Sequence, residues 1–193
     1  METGCSVPPK KNGTWERVLN GFAKVAVNGV NSRESRKGEK NMKQQDKIRS
    51  MTIDDFTQVH ALWMQISGFG IRSVDDSREG IERFLNRNPG CSVVAERDGQ
   101  IIGSILCGHD GRRGCLYHVC VHPDFRKQGI GKAMVVFAME ALKKEKINKV
   151  SLIAFTQNDI GNAFWKEIGW TKREDLNYYD FVLNEENITA FNR

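Results

Sequence analysis

Paired cysteines, long apolar runs and a charge excess in the main domain are what this sequence lacks. Its five cysteines, an odd number, form no Cys-x-x-Cys pair and have no histidine at zinc-site spacing. No stretch approaches the roughly 20 apolar residues of a membrane span, and the N-terminus lacks the apolar core of a secretion signal. We therefore expect a soluble cytoplasmic protein with reduced, buried thiols, no membrane partner and no metal.

The formal charge of +5 arises in the first 47 residues. They hold 10 of the 29 basic and 5 of the 24 acidic residues, so the 19 basic and 19 acidic residues that follow cancel. Binding to a nucleic-acid backbone normally needs a basic face or stripe. We therefore expect no nucleic-acid partner for the folded part, and a nucleic-acid-associated protein that uses the basic arm remains an alternative.

Residues 1–46 have the composition of an extension. They are rich in Gly, Asn, Ser, Lys and Arg, which is typical of a disordered basic arm. A second interpretation is that Met42 is the true start, because it follows RKGEKN, whose codons would be almost entirely purine, like a bacterial ribosome-binding site translated by mistake. Under either interpretation we expect a single globular domain at residues 47–193.

The apolar periodicity of residues 48–183 predicts an α/β (α+β) fold. Capping and turn signals predict a strand, two helices, three strands, a helix, a strand, a helix and two final strands near 170–173 and 178–183. Asp98-Gly99 predicts a two-residue hairpin within the three-strand run. This order indicates a mixed sheet flanked by helices, with an antiparallel start and a later parallel crossover.

The stretch VHPDFRKQGIGKAM, residues 121–134, joins a predicted strand to a predicted helix. Gly129 and Gly131 allow positive φ or the close approach of an anion. The first amides of a helix have no intrahelical partner and lie at the positive end of its dipole. Three basic side chains occupy the same stretch: Arg126, Lys127 and Lys132. The turn therefore predicts a phosphate or pyrophosphate site.

Two familiar phosphate motifs do not match this turn. A Walker A loop needs a glycine where Arg126 stands and Ser or Thr where Ala133 stands. A dinucleotide fingerprint needs a third Gly or Ala where Met134 stands. What remains is Arg-x-x-Gly-x-Gly after an apolar strand.

Two blocks of the sequence resemble the GNAT N-acetyltransferase family. VCVHPDFRKQGIGKAM resembles its acetyl-CoA signature, Q/R-x-x-G-x-G/A, and NDIGNAFWKEIGW resembles its later block, N-x-x-A-x-x-x-Y-x-x-x-G-F/Y. The segment GHDGRRGCLYHVCVHP further resembles the bacterial YpeA-like and RimI-like branch. The resemblance covers about residues 48–183 and implies the GNAT fold, with about seven strands, splayed between the fourth and fifth, and about four helices.

The resemblance implies acetyl-CoA as the cosubstrate. Its pantetheine would lie in the splay between strands 117–121 and 149–155, strand amides would polarise the thioester carbonyl, and the amides of residues 127–132 would hold the pyrophosphate. The cofactor-binding residues expected on this basis are Val119, Cys120, Val121, Arg126, Lys127, Gln128, Gly129, Ile130, Gly131, Lys132, Asn158 and Trp165.

Acetyl transfer releases CoA as a thiolate, which needs a proton donor. This sequence lacks the tyrosine that the family commonly uses for that purpose. Family members commonly use the Tyr of the second block, but Trp165 stands there, and an indole N–H does not act as an acid near neutral pH. The alternative donors are Tyr117, Tyr178 and Tyr179, of which we favour the pair Tyr178 and Tyr179. Each of these tyrosines also has a structural interpretation, as an aromatic side chain packed on a sheet face.

His118 is the candidate base, because the ordinary pKa of an imidazole, near 6.5, suits that role. Where relatives carry a catalytic Glu, this sequence has about Cys115. Strand alternation predicts that His118 and Tyr117 point to opposite faces and do not share a pocket. A structural histidine and deprotonation through water are the alternatives.

Two segments are candidates for contacting the acceptor. Asp110, Arg112 and Arg113 lie on a predicted hairpin near the acyl site, with a solvated turn as the alternative, and the loop 68–76 is a second acceptor wall.

We expect an N-acetyltransferase, monomeric or homodimeric, that moves an acetyl group to a primary amine of a small molecule or peptide. The reaction would be a direct attack without metal or covalent enzyme intermediate; a non-catalytic acyl-CoA-binding or regulatory module is the alternative.

Overall fold

The computed structural model describes residues 46–192. The predictions for the extension, for Met42 and for Cys5 concern residues outside this range. Seven strands and four α-helices are present within it. The strands are β1 (Lys47–Ser50), β2 (Gly70–Arg72), β3 (Val93–Arg97), β4 (Gln100–His109), β5 (Gly114–Val121), β6 (Val150–Leu152) and β7 (Thr189–Phe191). The helices are α1 (Phe56–Met64), α2 (Arg78–Arg87), α3 (Ile130–Lys144) and α4 (Asp159–Glu167).

Local signals start the first two helices as the sequence predicts. Thr52 and Asp55 form a capping box ahead of a short 3-10 turn that leads into α1. Ser77 caps α2 by accepting a hydrogen bond from the N–H of Gly80 at 3.1 Å. Both helices therefore begin where a side-chain oxygen meets otherwise unpaired amides.

Five strands form the central sheet in the order β1-β3-β4-β5-β6. All neighbours are antiparallel except β5 and β6, which are parallel and joined by α3. The β3–β4 hairpin turns at Asp98 and Gly99, with φ of 52° and 79°, and this confirms the Asp-Gly prediction. The predicted mixed sheet with an antiparallel start and a parallel crossover is confirmed.

Apolar side chains cover both faces of this sheet. On one face, α3 packs its buried residues, among them Met134 and Leu142, against Ile102 and Ile105 of β4. On the other face, α1 and α2 cover strand residues with a second cluster that includes the fully buried Trp63. The central strands are buried on both sides, which is why they read as continuous apolar runs in the sequence.

The parallel pair β5 and β6 separates after three residues. Their register runs from Gly114 opposite Val150 to Leu116 opposite Leu152, and the pairing ends there. Beyond that point, residues 117–121 continue β5 while the chain after Leu152 leaves the sheet. The sheet is therefore splayed at the place where the resemblance predicted an opening.

The predicted final strands are wrong. Residues 170–173 and 178–183 form no strand in the described structure; instead β7 pairs antiparallel with β2 as a separate two-stranded sheet. An alternating apolar pattern favours extended chain but does not supply a neighbouring edge with free hydrogen-bonding groups. Gly70 provides that edge, because its missing side chain leaves room for the ring of Phe191, 2.9 Å from where a Cβ would stand.

Candidate active site

A β-bulge in β5 shapes the site. Tyr117 pairs with Leu106 and Cys120 with Ser104, so His118 and Val119 together face the single residue Ile105. His118 has a φ of 48°, in the left-handed region that a non-glycine residue rarely adopts. The bulge adds one residue to the strand at the splay and reverses the alternation of side chains beyond it.

The prediction that Tyr117 and His118 face opposite sides is therefore wrong. The Tyr117 ring packs edge-on against Phe84 of α2, with centroids 6.0 Å apart, and the His118 ring lies 4.6 Å from that of Trp63 in α1. Both side chains thus lie on the side of the sheet covered by α1 and α2. The simple two-residue period fails because the bulge inserts a residue between them.

His118 is anchored by a buried carboxylate. Its Nε2 lies 2.7 Å from Oδ1 of Asp76, and the two side chains are 11% and 5% exposed. Phe69, 4.8 Å away between ring centroids, flanks the imidazole together with Trp63. No local signal in the sequence links Asp76 to a residue 42 positions later.

The turn before α3 has the backbone of an anion site. Lys127 and Gly129 have φ of 60° and 84°, and such left-handed residues in a turn direct successive N–H groups into one concavity. The first hydrogen bond of the helix runs from the N–H of Ala133 to the carbonyl of Gly129, at 3.0 Å. The amides before Ala133 therefore have no carbonyl within the helix.

Arg126 and Gln128 hold this turn in place with their side chains. The Nε of Arg126 donates to the carbonyl of Val121, at 3.0 Å, and ties the turn to the end of β5. The Oε1 of Gln128 accepts from Arg97 at 3.0 Å. Ligand binding by the predicted set in this turn, Arg126, Lys127, Gln128, Gly129, Ile130, Gly131 and Lys132, remains a prediction.

The strand residues at the opening present backbone rather than side chains. Val119 and Val121 pack against the core on the α3 side, whereas Cys120 is buried on the α1 side with its Sγ 3.4 Å from Ser104 Oγ. Burial raises the pKa of the Cys120 thiol to about 11, so it is not a ready nucleophile. The contacts that Val119, Cys120 and Val121 are predicted to make with acetyl-CoA would therefore use their backbone N–H and C=O groups.

Helix α4 closes the same end of the splay. Asn158 caps it by accepting from the N–H of Gly161 at 2.9 Å, and Phe164 lies 3.4 Å from where a Cβ of Gly131 would stand. The Trp165 ring lies 5.0 Å from that of Phe164 and 4.9 Å from that of Trp170. Cofactor contact by Asn158 and Trp165 remains a prediction, with capping and ring packing as their observed roles.

The three candidate tyrosines differ in their surroundings. Tyr117 is half-buried; burial, a hydrogen bond with Cys115 and the proximity of Tyr178 raise its pKa above the ordinary value. Tyr178 and Tyr179 lie in irregular chain and are 68% and 86% exposed. The structure thus places Tyr117 beside His118 at the splay and leaves Tyr179 largely in solvent.

The hairpin between β4 and β5 lies at the paired end of β5. Asp110 Oδ1 accepts hydrogen bonds from the N–H groups of Arg112 and Arg113, at 2.7 and 2.6 Å. These two donors, that of Arg113 foremost, lower the pKa of the Asp110 carboxyl. The geometry is that of a solvated turn held by an aspartate, and acceptor binding by Asp110, Arg112 and Arg113 remains a prediction.

Comparison with known proteins identifies the family. Residues 53–170, more than half of the chain, match the model described as the Acetyltransferase (GNAT) family. The chain belongs to this GNAT family. An acetyltransferase of Sodalis glossinidius is 33% identical to it over 129 residues, which cover 67% of this chain and 89% of the relative. The enzyme class predicted for this acetyltransferase, and the family resemblance behind it, are thereby confirmed.

Solved structures show the same fold. The PaiA N-acetyltransferase from Thermoplasma acidophilum in complex with coenzyme A has a TM-score of 0.59 at 17% identity, covering 75% of this acetyltransferase and 96% of that chain. The aminoglycoside acetyltransferase AAC(6')-Iy, in complex with a bisubstrate analog of CoA and acetylneamine, has a TM-score of 0.60 at 19% identity, covering 72% and 99%. These likenesses confirm the predicted fold class.

The described residues hold neither a cluster of metal ligands nor a membrane-spanning helix. Among residues 46–192 of this acetyltransferase, no three His, Cys, Asp or Glu side chains are grouped so as to hold a metal ion. No helix in that range is long and apolar enough to cross a bilayer.

Proposed function

We propose that this GNAT acetyltransferase binds acetyl-CoA in the splay between β5 and β6 and transfers the acetyl group to a primary amine of a small molecule or peptide. The observation that carries the proposal is the end of β5–β6 pairing at Leu116 and Leu152, with the left-handed Gly129 opening the N-terminus of α3 at the end of the same strand. Pantetheine would enter the gap as a surrogate strand.

The pyrophosphate fits the turn for two independent reasons. The helix N-terminus supplies amides without intrahelical partners and the positive end of the dipole. A Cβ built at Gly129 would meet nothing within 4 Å, so the backbone there is open to a ligand. The basic side chains of the turn would add long-range attraction for the anion.

The reaction needs a base, a polarised carbonyl and a proton for the leaving thiolate. His118 would take a proton from the ammonium form of the acceptor, and the neutral amine would then attack the thioester carbonyl. The C–N bond forms, the C–S bond breaks, and Tyr117 gives its phenolic proton to the departing sulfur. The phenolate would recover a proton from the nitrogen that becomes the amide, so that transfer releases one proton overall.

Tyr117 is favoured over Tyr178 and Tyr179 as the acid by its position, because it shares the α1–α2 side of the sheet with His118. No metal or covalent enzyme intermediate enters this scheme.

Calorimetric titration of acetyl-CoA into the protein tests the binding half of the proposal. Gly129→Glu would place a carboxylate against the pyrophosphate, where like-charge repulsion of about 1 to 4 kcal/mol weakens binding about fivefold or more. Gly90→Glu is the matched control: Gly90 has a φ of 75° and the same open surroundings, but lies between α2 and β3, outside the turn before α3.

Release of CoA thiol with a panel of amines tests the transfer half. The panel would hold an aminoglycoside, amino acids, simple alkyl amines and a peptide with a free N-terminus. The AAC(6')-Iy complex with an acetylneamine analog makes the aminoglycoside a reasonable first member. Acetyl-CoA binding without transfer to any amine would favour the alternative of a non-catalytic acyl-CoA-binding module, and unchanged binding by Gly129→Glu would refute the assigned site.

A further inference from the structure

Asp76 makes three hydrogen bonds with two residues, His118 and Arg72. Its Oδ1 faces His118 Nε2 at 2.7 Å, and its Oδ2 accepts the N–H of Arg72 at 2.7 Å. Its own N–H donates to the carbonyl of Arg72 at 3.0 Å. With 5% exposure and both oxygens engaged, the carboxylate has one available orientation.

This arrangement determines where His118 carries its proton. A carboxylate only accepts hydrogen bonds, so the neutral imidazole must present N–H at Nε2 and keep its lone pair at Nδ1. Within residues 46–192, Nδ1 has no hydrogen-bond partner. Within the same range, the Trp170 indole nitrogen is the only side-chain nitrogen or oxygen that is both fully buried and unpartnered. Nδ1 of His118 is therefore not fully buried. The basic nitrogen is therefore open to a ligand.

The ring cannot easily turn to present the other nitrogen. Trp63 and Phe69 flank it at centroid distances of 4.6 and 4.8 Å. The left-handed backbone of His118 in the bulge further restricts the direction of its side chain. Strained backbone of this kind persists where the surroundings over-determine it, and it is concentrated at functional sites.

We propose that Asp76 is a positioning residue for acetyl transfer: its carboxylate fixes His118 as the Nε2–H tautomer, so that Nδ1 takes the proton of the acceptor ammonium. This inference rests on the proposed function. The proton moves from the amine nitrogen to Nδ1 and then to solvent, and the resulting imidazolium is stabilised by the Asp76 charge.

The groups around His118 are consistent with this role. The loop before α2 contributes the Asp76 carboxylate. Trp63 of α1 and Phe69, just before β2, contribute aromatic rings. Strand β5 itself contributes the Tyr117 phenol and the Cys120 thiol. Burial raises the pKa of the Cys120 thiol to about 11, and that of Tyr117 is also raised. Of these groups, Asp76 is the one whose carboxylate contacts the imidazole directly.

Asp76→Asn tests the inference, because the fixed N–H of Arg72 dictates how the carboxamide sits. Its oxygen must face that N–H, which turns its NH₂ group toward Nε2 of His118. Nε2 must then accept, and the imidazole proton moves to Nδ1, the wrong tautomer for the base. The side chain keeps its size and both hydrogen bonds, so the fold and the acetyl-CoA Kd should be unchanged.

The ring-nitrogen NMR shifts of His118 are the direct readout. The protein has four histidines, so spectra of His118→Asn identify the signal. We expect Nε2–H in the wild type and Nδ1–H in Asp76→Asn, with a fall in kcat of about 100-fold, the lower end of general-base contributions. Asp54→Asn, at an exposed carboxylate, is the matched control and should retain both tautomer and kcat.

The outcomes separate this inference from the proposed function. An Nδ1–H imidazole in the wild type would overturn the inference, and so would an Asp76→Asn variant that transfers acetyl at the wild-type rate with its tautomer changed. The NMR readout needs no substrate and decides the tautomer even without a known acceptor. Failure of the wild type to acetylate any amine would instead count against the proposed function.

Discussion

Gly129 and Gly131 stand two residues apart in the turn before α3, and their surroundings differ. Gly129 has a φ of 84° and open space where a Cβ would point. Gly131 lies inside α3, and its Cβ would stand 3.4 Å from the Phe164 ring, an ordinary contact. The first glycine is required by backbone conformation, whereas the second leaves room for a methyl group.

Alanine substitutions should separate these two cases. Gly131→Ala should keep the acetyl-CoA Kd within about threefold, whereas Gly129→Ala should lower the free energy of unfolding by about 1 kcal/mol, since alanine is strained at positive φ. Urea denaturation and calorimetric titration measure the two quantities. Equal loss of stability in both variants would show that conformation does not distinguish the positions.

Tyr117→Phe should lower kcat about tenfold or more and leave the acetyl-CoA Kd unchanged, because only the proton donor is removed. Since the pKa of Tyr117 is raised above its ordinary value of 10, the wild-type rate should show no loss from phenol ionisation below pH 10. Tyr179→Phe, at an 86% exposed side chain, is the control and should be neutral. If Tyr117→Phe retains full kcat, the proton comes from another group.

At the scale of elements, an ion-pair cluster joins the start of α1 to the sheet. Arg49 of β1 contacts Asp55 at 2.7 Å and Glu96 of β3 at 2.9 Å. Burial opposes ionisation of Asp55, but hydrogen bonds from Arg49 and Thr52 outweigh it and hold the pKa of the carboxyl below 3.8. The capping box and the ion pair therefore share one carboxylate.

Asp55→Asn should lower the free energy of unfolding by about 2 kcal/mol at neutral pH, because it removes the charge from a largely buried pair. The folded-state pKa is depressed, so this contribution is present above the unfolded-state pKa and is lost as pH falls through the folded-state value. The stability gap between wild type and variant should thus narrow below about pH 3.8. Denaturation curves from pH 7 to 2 measure it, with Asp54→Asn as control; a gap that does not depend on pH would contradict the assignment.

At the scale of the whole molecule, charge and cofactor site belong to different parts of the chain. The basic excess lies in residues 1–47, whereas the splay and the turn before α3 belong to the neutral remainder. Acetyl-CoA binding should therefore be independent of the extension. Any affinity for nucleic acid should depend on it.

A chain beginning at Met42 should bind acetyl-CoA with a Kd within about twofold of that of the full chain, since the proposed binding groups all lie beyond residue 116. Titration of both proteins under the same salt conditions measures this. Retention on a polyanion column should fall for the shorter chain. A large loss of acetyl-CoA affinity would show that the extension contributes to the site.

Much of the fold was determined by the sequence alone because its signals are local. Caps at Thr52 and Ser77, the Asp98-Gly99 hairpin and the left-handed Gly129 act within a few residues, and they predicted the element order and the candidate anion site. Only the tertiary structure decided three other features: the bulge at His118, its pairing with Asp76, and the strand partner of the C-terminus. Each depends on contacts between residues distant in sequence, whose free energy comes from packing and hydrogen bonding that no local period encodes.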